Sequence, residues 1–322
     1  MGVTVYVRGG DGVTVCRSLD GVRELLEDNS LFWIDATSID EPLRVFLQDT
    51  LRLHPLAVED ILLERIHPKI EDYGDYLYVV IHGVTLDGGD PMALRTAELD
   101  VVLTDRWVFT HHAEGFEATA LVRDDLLRNP KLMDKGPSFV AHAVMDRVVD
   151  SYQPVMDLLD HAIDAIDAEV LDDPGEEIVQ RISKLKRSLQ RLRRIALHQR
   201  EVMLRLSRGE FAVIAERALP FFRDIHDHCV RVADLSDSYR ERLSNAFDVY
   251  LSILSNRMNQ AMRALSAVAT VMLPLTFIAG LYGMNFEHMP ELHWHYGYLW
   301  ALGLMGTVGA ATVWYFRRKG WM

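Results

Sequence analysis

The residues best able to do chemistry fall on one stripe near the end of the chain. Stepping forward from Asp248 by three or four residues meets Ser255, Asn259, Met262, Leu265 or Ser266, Ala269, Leu273, Thr276 and Gly280, and the stripe runs out beside Gly283, Met284 and Asn285. Such positions share one face of a helix. An Asn side chain offers a neutral amide oxygen that accepts hydrogen bonds, including those from the water shell of a cation. Set around a common axis, Asn259 and Asn285 would form polar rings, and Met262, Leu265 and Leu273 would form apolar collars able to dewet and close. Close packing of membrane helices favours the same small residues, so the stripe alone leaves both readings open.

Other groups could hold ions. Glu287 and Glu291 follow the stripe and would raise the local cation concentration without ligating; a solvated loop explains them equally well. His288, His293 and His295 lie in the same loop, and His226, His228 and Cys229 lie after Pro220. These are softer ligands suited to zinc, although their spacing matches no established zinc pattern. His111-His112 and "HDHC" are the raw material for a membrane-anchored metalloenzyme, but the chain has no H-E-x-x-H, no G-x-S-x-G and no paired thiolates.

The elements that must carry the stripe are two apolar segments. Ala264 to Phe286 and Tyr296 to Phe316 contain no charged side chain, and each is long enough to cross roughly 30 Å of hydrocarbon. Arg257 and Arg263 precede the first and Arg317, Arg318 and Lys319 follow the second, while the loop between them has no Lys or Arg. By the positive-inside rule both termini face the cytoplasm and the loop faces out. Trp294, Tyr296, Tyr298, Trp300, Trp314 and Tyr315 would mark the interfaces.

The remainder reads as cytoplasmic. Strand signals at Val3 to Val7, Leu31 to Asp35, Tyr76 to Val84, Leu99 to Thr104 and Trp107 to His112 alternate with helical stretches, which makes the first part α/β. Ser18 and Asp40 are candidate N-caps, with Pro42 in a first turn. From about Ser138 the pattern is helical, broken at Asp173-Pro174-Gly175 and more weakly at Gly209 and Pro220. Asp157, Asp160, Asp164, Asp167 and Glu169 precede the first break, and Arg181, Lys184, Lys186, Arg187, Arg191, Arg193, Arg194 and Arg200 follow it. An antiparallel hairpin with facing opposite charges is expected, each exposed pair contributing roughly 0.2–1 kcal/mol. Between Pro220 and Pro274 there is no Gly or Pro, so one helix of about 60 residues runs from the cytoplasmic part into the membrane. The divisions are 1–135 (α/β domain), 136–219 (hairpin region), 220–263 (stalk), 264–286 (first span), 287–295 (external loop), 296–316 (second span) and 317–322 (basic tail).

Composition limits the partners. With 34 basic and 47 acidic residues the net charge is −13, which suits cations and argues against nucleic acid. Cys16 and Cys229 are far apart and are expected to be reduced thiols.

The chain resembles the CorA magnesium transport proteins. The resemblance rests on "YGMNF" followed by "MPEL" and preceded by "PLTFIAG" (Pro274 to Gly280), with "VYLSILSN" (Val249 to Asn256), "PFFRDIHDH" (Pro220 to His228) and "HPLAVEDIL" (His54 to Leu62) in order before it. It covers His54 to Met322. It implies a homopentamer in the plasma or inner membrane, conducting Mg2+ and accepting Co2+ and Ni2+, with no enzymatic activity and no organic cofactor. Gly283, Met284 and Asn285 would form the selectivity filter, with Gly283 letting backbones approach around the axis. Asn259 and Thr276 would be polar rings, and Met262, Leu265 and Leu273 the gate. A cytoplasmic metal sensor would pair Asp60, with Glu59 beside it, on one subunit with Asp248 on the next, and Asp224 would be a further sensing carboxylate. Leu273 and Leu299 depart from the commoner Met and Pro at their positions, and the basic tail is short.

That chemistry is coherent. Mg2+ releases its waters reluctantly, so a neutral Asn ring that grips a hydrated ion avoids the dehydration step. No nucleotide-binding phosphate loop is present. The membrane potential alone contributes about 4.6 kcal/mol per 100 mV to the entry of a divalent ion. Carboxylates facing across a subunit boundary repel unless a cation bridges them. At ten times the dissociation constant, bridging favours the closed state by about 1.4 kcal/mol per site. A zinc transporter of the same superfamily is the nearest alternative reading.

Overall fold

The fold is that of a computed structural model describing residues 2–10, 12–28, 30–63, 67–172, 175, 177–285 and 289–319. It divides into two compact units, Met1–Phe247 and Asp248–Met322.

The first unit is built on seven strands: β1 (Val3–Arg8), β2 (Val13–Cys16), β3 (Phe32–Ala36), β4 (Lys69–Asp72), β5 (Leu77–Leu86), β6 (Leu94–Leu103) and β7 (Trp107–His112). They form one sheet in the order β2-β1-β3-β7-β6-β5-β4. Every neighbouring pair is antiparallel except β3 and β7, whose parallel register sets Ile34 beside Phe109. Leu77, Val79 and Ile81 of β5 point to one face, and Tyr78 and Val80 to the other. All five are buried, so β5 reads as a continuous apolar run because both faces of the sheet are covered.

Short helices cover one face: α1 (Val22–Glu27), α2 (Glu41–Val45) and α3 (Pro55–Leu62). Leu43, Ala57, Val58 and Ile61 there, with Leu47 of the π-helical turn Phe46–Thr50, meet Val5, Phe32, Ile34 and Phe109. Asp40 caps α2 as expected, accepting a hydrogen bond from the Leu43 amide at 3.0 Å. Ser18 does not cap α1. The left-handed Gly21 (φ 84°) opens that helix, and the Ser18 hydroxyl donates instead to Asp20 at 2.6 Å.

Mostly longer helices cover the other face: α4 (Glu117–Arg128), the single turn α5 (Lys131–Asp134), α6 (Pro137–Asp150), α7 (Tyr152–Asp172), α8 (Glu177–Ser207) and the first part of α9 (Leu219–Tyr282). Val144, Met145 and Val148 of α6 join Met203 of α8 and Phe222, Ile225 and Cys229 of α9 against Trp33, Val101 and Val108. Each such large side chain contributes roughly 1.5–3 kcal/mol by leaving water.

The hairpin of α7 and α8 forms, but its charges are not arranged as expected. Among the described residues one ion pair links the two helices, Glu169 with Arg181. Asp160, Asp164 and Asp167 turn instead to a single guanidinium on α9, Arg242, at 2.8, 2.5 and 2.8 Å. Their spacing of four and three residues stacks them on one side of α7. Arg193 of α8 likewise reaches α9, at Asp237 (2.6 Å). Asp173 and Pro174 of the expected turn lie outside the described residues.

The second unit holds the rest of α9, a short turn at Pro290–His293 and α10 (Gly297–Arg318). Both long helices are long and apolar enough to cross a membrane. Thr270, Thr307 and Thr312 each donate a hydroxyl hydrogen bond to the carbonyl four residues earlier, at 2.8, 2.9 and 2.8 Å, as polar side chains in an apolar setting must. Gly309 of α10 leaves its space to the Leu275 side chain of α9.

Candidate functional site

α9 ends where the motif begins. Tyr282 is its last residue, and the chain leaves in a tightened turn in which the Gly283 amide donates to Ala279 O (3.0 Å) and Gly280 O (3.2 Å). A side chain at Gly283 would set its Cβ 3.2 Å from Ala279 O and 3.4 Å from Gly280 O. A side chain there would need the helix end to give by a few tenths of an ångström. Met284 and Asn285 follow, both exposed. Pro274 is tolerated inside the helix.

The stripe faces outward along its length. Asn259 and Thr276 are exposed, and so are Met262 (57 %), Leu265 (67 %) and Leu273 (73 %). An apolar surface of this extent needs lipid or further protein over it. Glu287 and His288 lie outside the described residues, and Glu291 falls in the short turn at Pro290–His293.

The expected cytoplasmic carboxylates have different surroundings. Asp60, in the last turn of α3, is buried, while Glu59, Asp224 and Asp248 are exposed. Asp60 and Glu59 line an open cleft with Glu71, Asp72 and Tyr73. Asp60 already has a cation: Lys69 Nζ of β4 pairs with its Oδ2 and also reaches Glu71 Oε1 at 2.8 Å.

The structure gathers a further set of which the linear reading named His228 alone. Asp146 and Asp150 on α6 and His228 on α9 each present a ligand atom, and the three atoms lie within 4.8 Å of one another. Asp224, one turn before His228, and His142, one turn before Asp146, act on this group through their charge. Burial raises the Asp146 carboxyl above its usual range, and the charges of Asp150 and Asp224 add to the rise while His142 and His228 oppose it. Burial pushes His142 below the usual histidine range. A cation placed among these carboxylates would relieve their repulsion. One imidazole and two carboxylates suit Co2+, Ni2+ or Zn2+ better than Mg2+, which prefers an all-oxygen shell. The sequence signal was the i, i+4 pairing in each helix, Asp146 with Asp150 and Asp224 with His228; what it lacked was the contact between the two helices.

Cys229, His111 and His112 are spent on the core. Cys229 is buried and its thiol is pushed up to about 12, so no thiolate forms there. His112 Nε2 stands 3.2 Å from Asp35 Oδ1, beneath a chain in which Trp33 Nε1 donates to Thr110 and Thr110 donates to Asp35 at 2.6 Å. His111 Nδ1 meets Asp100 at 3.0 Å, and the Tyr78 hydroxyl donates to the same carboxylate at 2.7 Å. Burial raises Asp100. These are satisfied polar pairs inside the sheet rather than the acid and base of an open catalytic cleft.

A three-layer α/β unit is thus followed by two helices long and apolar enough to cross a membrane, the first of them 64 residues long. The chain belongs to the family described as "CorA-like Mg2+ transporter protein", whose model matches residues 28–318. Members of this family carry ions and are not enzymes. The chain is 35 % identical over 308 residues to the cobalt/magnesium transport protein CorA of Thermotoga maritima, covering 94 % of this chain and 87 % of that one. It is 27 % identical over 325 residues to the divalent cation transporter CmaX of Pseudomonas aeruginosa, covering 100 % and 96 %. In structure it matches the complete CorA magnesium transporter from Methanocaldococcus jannaschii with a TM-score of 0.86 at 20 % identity, over 100 % of this chain and 99 % of that one. The protein is a divalent cation transporter of the CorA family.

Proposed function

We propose that the protein is a passive channel for hydrated Mg2+, accepting Co2+ and Ni2+, driven inward by the membrane potential and closed by Mg2+ on the cytoplasmic side. The observation that carries this reading is the exposed stripe of α9, polar at Asn259 and Thr276, apolar at Met262, Leu265 and Leu273, and ending at Gly283-Met284-Asn285. Copies of the chain, five in a ring, would turn that stripe inward, with Asn285 and Gly283 at the outer mouth. Glu287 and Glu291 would attract cations to it. The basic residues flanking the spans support cytoplasmic termini in the plasma or inner membrane. The proposed sensor pairs Asp60, with Glu59 beside it, on one subunit with Asp248 on the next, and Asp224 is a further sensing carboxylate.

The test is flux of each ion into liposomes carrying the intact chain or its Asn285→Ala variant. Mg2+ should enter without ATP, and the variant should pass at least tenfold less. A requirement for ATP would overturn the passive mechanism. The imidazole among the carboxylates favours one second reading, a zinc transporter; Zn2+ uptake exceeding Mg2+ uptake would replace the first reading with it.

A further inference from the structure

The sensor carboxylate Asp60 is not waiting bare for a metal. Its side chain, 13 % exposed, is paired with Lys69, and the Lys69 ammonium has a second carboxylate at hand, Glu71 Oε1 at 2.8 Å, and the face of the Tyr78 ring at 5.0 Å. Glu71 is itself steadied by a hydrogen bond from the Tyr73 hydroxyl (2.9 Å). The lysine sits at the start of β4, an edge strand, so its flexible stem can move without disturbing the sheet.

We infer that Lys69 is a built-in counterion that competes with the regulatory cation for Asp60 and so sets the concentration of cytoplasmic Mg2+ at which the transporter responds. The inference rests on the reading of Asp60 as a sensor ligand. With the cleft free of metal, the ammonium neutralises Asp60 and keeps Glu59, Asp60, Glu71 and Asp72 from repelling one another. When a divalent ion takes Asp60, the ammonium must leave, and Glu71 and the Tyr78 ring provide the place to which it moves. A lysine serves this role where an arginine would serve it less well, because an ammonium is a point charge with no fixed bidentate geometry to give up. Metal affinity at Asp60 is then the difference between the pull of the ion and the pull of Lys69.

The experiment titrates Mg2+ against the full-length protein and reads thermal stabilisation of the cytoplasmic unit, alongside inhibition of flux in liposomes. Removing the ammonium beside this buried carboxylate should lower the half-saturating Mg2+ by about tenfold in Lys69→Met. Lys69→Arg should stay within about threefold of wild type, since the competing charge remains. Lys184→Met removes the same charge from exposed α8 and should leave the midpoint in place. A Lys69→Met midpoint equal to wild type, or a shift matched by Lys184→Met, overturns the inference. Asp60→Asn separates the two layers: if it leaves the Mg2+ midpoint untouched, the sensor reading falls and the counterion role with it. If it abolishes the response while Lys69→Met changes nothing, the counterion role alone falls.

Discussion

The two parts of α9 obey different rules. From Leu219 to Phe247 the helix buries Phe222, Ile225, Cys229, Val232, Ala233, Leu243 and Ala246, and its Arg242 and Asp237 are tied to α7 and α8. From Asp248 to Tyr282 two residues, Tyr250 and Ala267, are buried, while Met262, Leu265, Leu273 and Phe277 stand open. One backbone conformation thus serves two settings: the first part is covered by its own chain, and the second presents an apolar surface that calls for lipid or further protein. Hydrophobicity in the first part stabilises the fold, whereas in the second it shapes a surface.

Truncations along the same helix should therefore read out differently. Phe222→Ala, in the fully buried part, should lower unfolding stability by about 3–5 kcal/mol, measured by denaturant unfolding of the full chain in detergent. Leu273→Ala deletes a side chain of similar kind that is 73 % exposed. It should leave the unfolding of the first unit within about 0.5 kcal/mol of wild type, yet pass Mg2+ several-fold faster when internal Mg2+ is high; a stability loss as large as that of Phe222→Ala would erase the contrast.

Arg242→Ala leaves three carboxylates with no guanidinium between them and should cost about 1 kcal/mol, because the side chain is partly exposed and solvent screens the pairs. Arg181→Ala, with one partner, should cost less. Equal costs would mean that the three-carboxylate grip adds nothing over a single pair. The smallest effect concerns pH. Burial opposes protonation of His112, but the hydrogen bond and charge of Asp35 outweigh it and raise its pKa above the usual histidine value. The stabilising contribution is then fully present below the unfolded histidine pKa and lost as pH rises through the folded one. Wild type should lose stability across that window, and His112→Gln should show a flatter slope there.

Much of the architecture was legible in the sequence because it rests on local signals. The apolar spans, the unbroken α9, the strand runs of β5 and β7 and the Asp40 cap each follow from periodicity or from one residue type in one place. β2 and β4 were missed for a physical reason: both are four-residue edge strands, and "KIED" carries too little apolar pattern to announce itself. The hairpin charges were misassigned because composition shows how many charges exist and not which helix lies within reach. Asp146 with His228, and Asp60 with Lys69, belong to the same class of feature. They exist only once separate elements are packed together.

The two cysteines have a practical consequence. Cys16 is exposed on the edge strand β2, whereas Cys229 is sealed in the core with its thiol pushed up to about 12. A maleimide dye should therefore attach at one position per copy without any engineered substitution. Counting bleaching steps on single detergent-solubilised particles then turns the unmodified protein into its own subunit counter, and a distribution ending at five steps is the expected result.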